Sequence, residues 1–241
     1  MSARGHETLL ADVGDAWRAY VEHPFFRAIG DGTVREGQLR FWLLQDIPYL
    51  DGYVAARQAI MAGLAADPAL AALDARARGA GWADDEGENE EVDFELELCR
   101  ALGIEDEAER DRFAARPARE GYMNHIARTV AEGPLSAVVV AILPCEWGFH
   151  AMGRRLAAAA APAAPLSERW IAYYASDEQA LRTAVSLELT DALWARAGED
   201  ERTLMRRTFA RSVEHQLAVL DAAWRERDPW PSEDRERALA R

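Results

Sequence analysis

The chain holds two cysteines, Cys99 and Cys145, and the second sits where chemistry is most easily imagined. It follows a proline inside an apolar run, Ile142-Leu143-Pro144-Cys145-Glu146-Trp147-Gly148-Phe149. A proline within a helix removes a backbone donor and pushes against the preceding turn, leaving a kink and a freed carbonyl. A thiol at such a kink is a candidate nucleophile, although free cysteine also serves as a small buried hydrophobe. Other polar and aromatic residues stand where apolar ones are expected. Asp46 and Tyr49 are three apart and share a helix face. Tyr122 lies in a segment expected to pack near the cysteine helix, and Tyr173-Tyr174 follow Trp170-Ile171. Glu214 is surrounded in helical spacing by Phe209, Val213, Leu217 and Leu220, so it is either a surface charge or a buried acid with a displaced pKa.

The segments that must position these residues have helical period almost throughout, with no convincing strand alternation. Glu7–Glu22 carries an apolar stripe that ends before Pro24. A long helical pattern runs from Glu36 to Leu64 and contains Pro48, which should kink it. Helices are expected over Ala69–Ala80, Asp93–Leu102 (with Gly103 as its C-terminal cap), Pro117–Glu132 and Pro134–Ala161. Leu166–Tyr174, Ser176–Ala197, with Ser176 or Asp177 as cap, and Glu199–Arg227 complete the series. Val138-Val139-Val140 alone could be a strand, but its setting argues for a buried helix. The acidic 84–88 stretch reads as a loop or helix entry, the charged run 105–116 as a solvated face, and 157–165 as an alanine–proline connector. These features predict one all-α domain over residues 1–228, followed by a charged tail at 229–241.

Bulk composition excludes several functions. The formal charge of −14 disfavours nucleic acid, which is bound by neutralising phosphates. Every basic residue is arginine, so a lysine Schiff base and a phosphate-loop lysine are both impossible. The cysteines are too few for a disulfide framework and match no zinc spacing. No uninterrupted apolar run of membrane-spanning length and no secretory leader pattern is evident, so a cytoplasmic protein without membrane association is expected.

Taken together, His23-Pro24-Phe25, Asp31-Gly32-Thr33, Gln45-Asp46-x-x-Tyr49-Leu50, Leu143-Pro144-Cys145-x-Trp147, Trp170-Ile171-x-x-Tyr174 and Glu214 span nearly the whole chain. In order and spacing they resemble the TenA/THI-4 family of thiamine-related proteins, also called thiaminase II or aminopyrimidine aminohydrolase. The resemblance implies a haem-oxygenase-like helical bundle, assembly as a homotetramer or dimer, and no metal or organic cofactor. It implies hydrolysis in thiamine salvage, releasing ammonia or thiazole from an aminomethylpyrimidine or thiamine. Carried over by residue, the family nucleophile falls on Cys145, the acid/base glutamate on Glu214 and the orienting carboxylate on Asp46. The tyrosines of the pyrimidine pocket fall on Tyr49, Tyr122 and Tyr174. In that chemistry a thiolate adds to the ring and breaks its aromaticity, an acid protonates a ring nitrogen, and aromatic rings from Tyr49, Tyr122 and Phe149 sandwich the pyrimidine.

Two departures stand out. Phe149 replaces a tyrosine usual four residues after the nucleophile, and Leu217-Ala218 replace a Phe-Trp pair after the last glutamate. The three carboxylates Asp46, Glu146 and Glu214 would oppose thiol ionisation, with Glu146 turned about 100° from Cys145 and expected to face solvent. Competing readings are a TenA-like protein with another substrate, a non-catalytic ligand-binding regulator, and a di-iron oxygenase on the same fold. The last lacks a Glu-x-x-His motif. A haem site at His23 competes with a histidine satisfied by the backbone at a helix end.

Overall fold

In the computed structural model one helix is the axis of the molecule, and the rest of the chain packs around it. The structure describes residues 4–82, 90–104, 115–159 and 164–239. It contains α1 (Gly5–Asp12), α2 (Gly14–Val21), α3 (Pro24–Gly30), α4 (Glu36–Ala66), α5 (Ala71–Gly79) and α6 (Glu90–Ala101). There follow α7 (Pro117–Glu132), α8 (Leu135–Ala158), α9 (Pro165–Tyr174), α10 (Asp177–Arg196), α11 (Glu199–Arg225) and α12 (Pro231–Leu239). No strand occurs among the described residues.

α8 is the central helix, touching α4, α7, α9, α10 and α11. Its sequence explains this position: Val138 to Leu143 are buried in succession, so the helix is apolar all round rather than along one stripe. It is long and apolar enough to cross a membrane by composition, yet it is the core of this bundle. Val138-Val139-Val140 is helical, as expected. Pro144 and Pro48 lie inside continuous helices, α8 and α4. Around Pro144 two tyrosine hydroxyls supply donors to main-chain carbonyls, Tyr20 to Pro144 at 3.0 Å and Tyr122 to Ala141 at 3.2 Å. Gly153 lets α9 close onto α8, since a Cβ there would lie 2.6 Å from the Tyr174 carbonyl carbon.

The first stripe is two helices rather than one, broken at Val13, whose φ of −118° and ψ of 18° leave the helical region. Ser176 is the cap of α10, accepting from the Gln179 N–H at 3.2 Å. Gly103 follows α6 with a φ of 70°, the left-handed conformation that favours glycine. His23 caps α3: its Nδ1 accepts from the Phe25 N–H at 3.2 Å, and its Nε2 faces Asp221 at 3.5 Å. Both ring nitrogens are thus engaged within the protein, against the haem reading. The C-terminal tail is helical over α12, and Arg116 anchors it through Glu233 at 2.6 Å. The 84–88 stretch, most of the charged run (105–114) and residues 160–163 of the connector lie outside the described residues.

Candidate active site

Cys145 lies on the inner face of α8 and is 9 % exposed. Burial pushes its pKa well above the usual thiol value, and the charges of Glu91, Asp46 and Glu146 push it further. Tyr49 beside it acts in the opposite sense. At rest the group is therefore a thiol, held in that state first by burial and then by its carboxylate neighbours. Tyr49, Tyr122, Phe149 and Tyr174 are all buried around it.

α4 supplies Asp46, Tyr49 and Tyr53 from successive turns of its buried face. Asp46 Oδ1 accepts from the Arg119 guanidinium on α7, an ion pair with both partners almost wholly buried. Arg119 also stacks over the Tyr49 ring at 4.7 Å. Tyr53 donates to Glu146 Oε1. Glu146 is only 6 % exposed, which corrects the expectation that it faces solvent. A turn of 100° leads out of the core only from an amphipathic helix, and α8 is buried all round at this level.

α6 brings two acids that the sequence motifs do not single out. Glu91 and Glu95 are one helical turn apart and both buried, Glu95 completely. Glu91 accepts from the Tyr174 hydroxyl at 2.8 Å. Desolvation, then the Asp46 charge, raises Glu91 to about 7 despite that hydrogen bond. Glu95 meets no donor at either oxygen. Burial and the adjacent Asp46 carboxylate raise its pKa well above the carboxylic range, so it carries a proton that it can share with Asp46. Three carboxyls, Glu91, Asp46 and Glu146, thus act on one thiol, with Glu95 beside Asp46 and Arg119 as the cation paired to Asp46.

Glu214 is not among them. Its side chain is 59 % exposed and pairs with Arg211 at 2.9 Å on the outer face of α11. The residue of α11 that reaches the site is Gln216, 2 % exposed and beside the Tyr122 hydroxyl. Two residues correspond to about 200° of helix rotation, so Glu214 and Gln216 point to opposite sides. The core stripe of α11 runs Phe209, Val213, Gln216, Leu220, and its i, i+4, i+7, i+11 spacing could have identified Gln216 from sequence. The same test, with Glu91, Glu95 and Leu98, could have found the acids of α6. Nothing in sequence spacing alone marks Arg119 as their partner.

The aromatic wall also differs from a simple sandwich. Tyr49 and Tyr122 stack on each other with centroids 5.3 Å apart and planes 20° from parallel. A ring held between two others needs about 7 Å, twice the carbon contact distance, so these two together form one wall. Phe149, one turn beyond Cys145, packs 5.0 Å from Tyr174, 6.0 Å from Trp170 and 6.1 Å from Trp42. That apolar setting accommodates phenylalanine. Of the adjacent tyrosines it is Tyr174 that enters the site, while Tyr173 stacks on Phe94 at 4.0 Å.

Among the described residues no group of His, Cys, Asp and Glu has the geometry to hold a metal ion. A surface cleft of about 580 Å³ near α7 and α11 is lined by His125, Arg128, Arg207, Arg211 and Glu214 and lies outside this cluster.

A thiol enclosed by acids and rings beside the proline of a central helix defines a helical-bundle protein with a buried cysteine site. The chain belongs to the TENA/THI-4/PQQC family, whose model matches residues 10–226. It is 29 % identical over 209 residues to the aminopyrimidine aminohydrolase of Bacillus subtilis, covering 87 % of this chain and 85 % of that one. It is also 29 % identical to the aminopyrimidine aminohydrolase of Halalkalibacterium halodurans, over 67 % and 69 % of the two chains. A solved TenA homologue from Pyrococcus furiosus superposes with a TM-score of 0.76 at 17 % identity, over 91 % of this chain and 99 % of that one. A TenA family transcription regulator from Silicibacter sp. TM1040 does so with 0.77 at 24 % identity, over 92 % and 96 %. The fold is the haem-oxygenase-like all-α bundle of these proteins.

Proposed function

We propose that the protein is a thiaminase II-like hydrolase that displaces an amine from the methyl group of an aminopyrimidine, or thiazole from thiamine, and replaces it with water. The observation that carries this reading is the enclosure of the Cys145 thiol by Tyr49, Tyr174 and buried carboxyls. The methyl carbon is poorly electrophilic while the ring stays aromatic. Addition of Cys145 Sγ to the ring removes the aromaticity and divides one hard displacement into easier steps. Asp46, oriented by Arg119, receives the exocyclic amino group and sets ring orientation. The paired Tyr49 and Tyr122 rings offer a flat wall on one side, and Phe149 with Tyr174 closes the other. The acid of this reaction is one of the buried carboxyls at the thiol, since Glu214 lies on the outer face. The setting proposed is the cytoplasm, with the chain working in thiamine salvage as a homotetramer or dimer and without a cofactor.

The test is turnover of an aminomethylpyrimidine against thiamine, following ammonia or thiazole release. Wild-type protein turns over one of them, and folded Cys145→Ala protein turns over neither. Turnover retained by Cys145→Ala would remove the nucleophile assignment.

A further inference from the structure

The surface cleft takes no part in the chemistry at Cys145, yet its two walls are built alike. α7 contributes His125, Arg128, Thr129 and Glu132 to the lining. α11 contributes Leu204, Arg207, Thr208 and Arg211. Each set has the spacing i, i+3, i+4, i+7, which puts its four residues on one face of a helix. α7 and α11 pack against each other, so these two faces are the banks of the cleft. An arginine holds the second position of both banks, and Arg211 follows Arg207 one turn on.

Charge is not balanced there. Arg211 pairs with Glu214 at 2.9 Å. Arg128 and Arg207 form no ion pair or hydrogen bond among the described residues, although Glu132 lies one turn from Arg128. Buried His125 registers the excess: after burial and His215, Arg128 is the next cause that lowers its pKa, and Arg211 acts in the same sense. The chain as a whole carries a formal charge of −14, so two unpaired cations on facing banks of one concavity make a local field opposite to the net one. The cleft is also larger than a bare ion needs and partly apolar. Its volume of about 580 Å³ lies in the range of small-molecule sites. Ala137 and Ala210 line it together with Leu204, which at 38 % is one of two large hydrophobic side chains exposed among the described residues.

We propose that this cleft binds a phosphate monoester, with its phosphoryl oxygens held by Arg128 and Arg207 and its organic body laid against Leu204 and Ala210. Two unpaired cations call for two negative charges, which a monoester carries once its second ionisation, near a pH of about 6, is complete. A guanidinium offers a planar fork of N–H donors that matches phosphoryl oxygens, and forks from two banks grip the group from both sides. The apolar bank of α11 then selects the ester over the free ion by covering its organic part. The site lies on the outer side of Tyr122 and stands whether or not the protein hydrolyses an aminopyrimidine.

The experiment titrates the full chain with phenyl phosphate by calorimetry at low and at raised salt, with inorganic phosphate and phenol as the two halves of the ligand. Expected is one saturable site for phenyl phosphate, weakened by salt and tighter than for either half. Arg128→Gln and Arg207→Gln should each weaken it about tenfold, the loss of a charge-assisted hydrogen bond. Glu214→Gln, which frees Arg211, should tighten it about twofold to threefold. All three are substitutions of exposed side chains outside the Cys145 site, so melting temperature and turnover should stay at wild-type values. Absence of saturable binding up to about 10 mM overturns the site, since that range covers weak small-molecule binding. So does binding that the Arg128→Gln, Arg207→Gln double variant leaves unchanged, because the ester would then sit elsewhere. Inorganic phosphate that binds as tightly as phenyl phosphate overturns the ester, since Leu204 and Ala210 would contribute nothing.

Discussion

Two clusters of titratable residues face each other across α7 and α11, and they are opposite in nearly every respect. The inner one, between α4, α6 and α8, gathers Glu91, Glu95, Asp46 and Glu146 around a thiol. The outer one gathers His125, His215, Arg128 and Arg211 at the surface cleft. Tyr122 separates them. Tyr49 stacks on it at 5.3 Å and His215 at 5.6 Å, both nearly parallel. Burial acts on both clusters by the same rule and with opposite sign. It raises Glu91 to about 7, and it lowers His125 to about 4, helped by His215 and Arg128. The cleft of about 580 Å³ opens on the outer side of Tyr122, whereas the Cys145 thiol is buried on the inner side.

The largest effect expected from breaking this arrangement is at Arg119, the cation paired with Asp46 in the inner cluster. Arg119→Met leaves the Asp46 carboxylate buried without its cation, and removal of one partner from such a pair costs about 3–5 kcal/mol. Chemical denaturation should show that loss, with partial rescue when Asp46 is also changed to Asn. The outer cluster offers no comparable site, because Arg211 and Glu214 are both more than half exposed.

The next effect is visible in the pH dependence of stability. Glu91 binds its proton more tightly folded than unfolded, so its contribution is greatest at acid pH and is lost as pH rises from about 4.5 to 7. That displacement corresponds to about 3 kcal/mol. Glu95 acts in the same direction. His125 does the reverse: held neutral in the fold, it costs stability as pH falls from 6.5 towards about 4. His125 and His215 thus oppose Glu91 and Glu95 over the shared window. Relative to wild type, Glu91→Gln should make the slope of stability against pH more positive, and His125→Gln should make it more negative. Parallel curves for the two variants would contradict the opposed signs.

What could be read from sequence followed how local its physical cause was. Helix identity was legible because the 3.6-residue stripe is local, and the residues of α4 and α8 were legible because their motifs lie within one or two turns. Cys145, Asp46, Tyr49, Tyr122, Phe149 and Tyr174 are all brought together. The outward position of Glu214 is not legible in the sequence, because a lone carboxylate among apolar residues is ambiguous until the helix is oriented. Counting around α11 places Gln216, rather than Glu214, on the stripe with Val213 and Leu220. Glu146 was misjudged for the converse reason, since α8 has no solvent side at that level. The Arg119–Asp46 pair spans α7 and α4, and only tertiary packing could reveal it.

The smallest effect expected is the one that separates the two clusters most sharply. Glu214→Gln removes an exposed i, i+3 ion pair, worth about 0.3–0.5 kcal/mol at most in such a setting. It leaves Gln216, Tyr122 and the inner carboxyls untouched, so kcat and its pH profile should match wild type. Glu91→Gln, also a loss of one carboxylate, removes a charge that acts on the Cys145 thiol and should by contrast alter turnover and its pH profile. The pair of variants holds the chemical change constant and varies only which side of Tyr122 it falls on. A Glu214→Gln protein that folds normally but loses turnover would mean that α11 presents its outer face to the substrate. The barrier drawn at Tyr122 would then be in the wrong place, and the acid of the reaction would belong to the cleft.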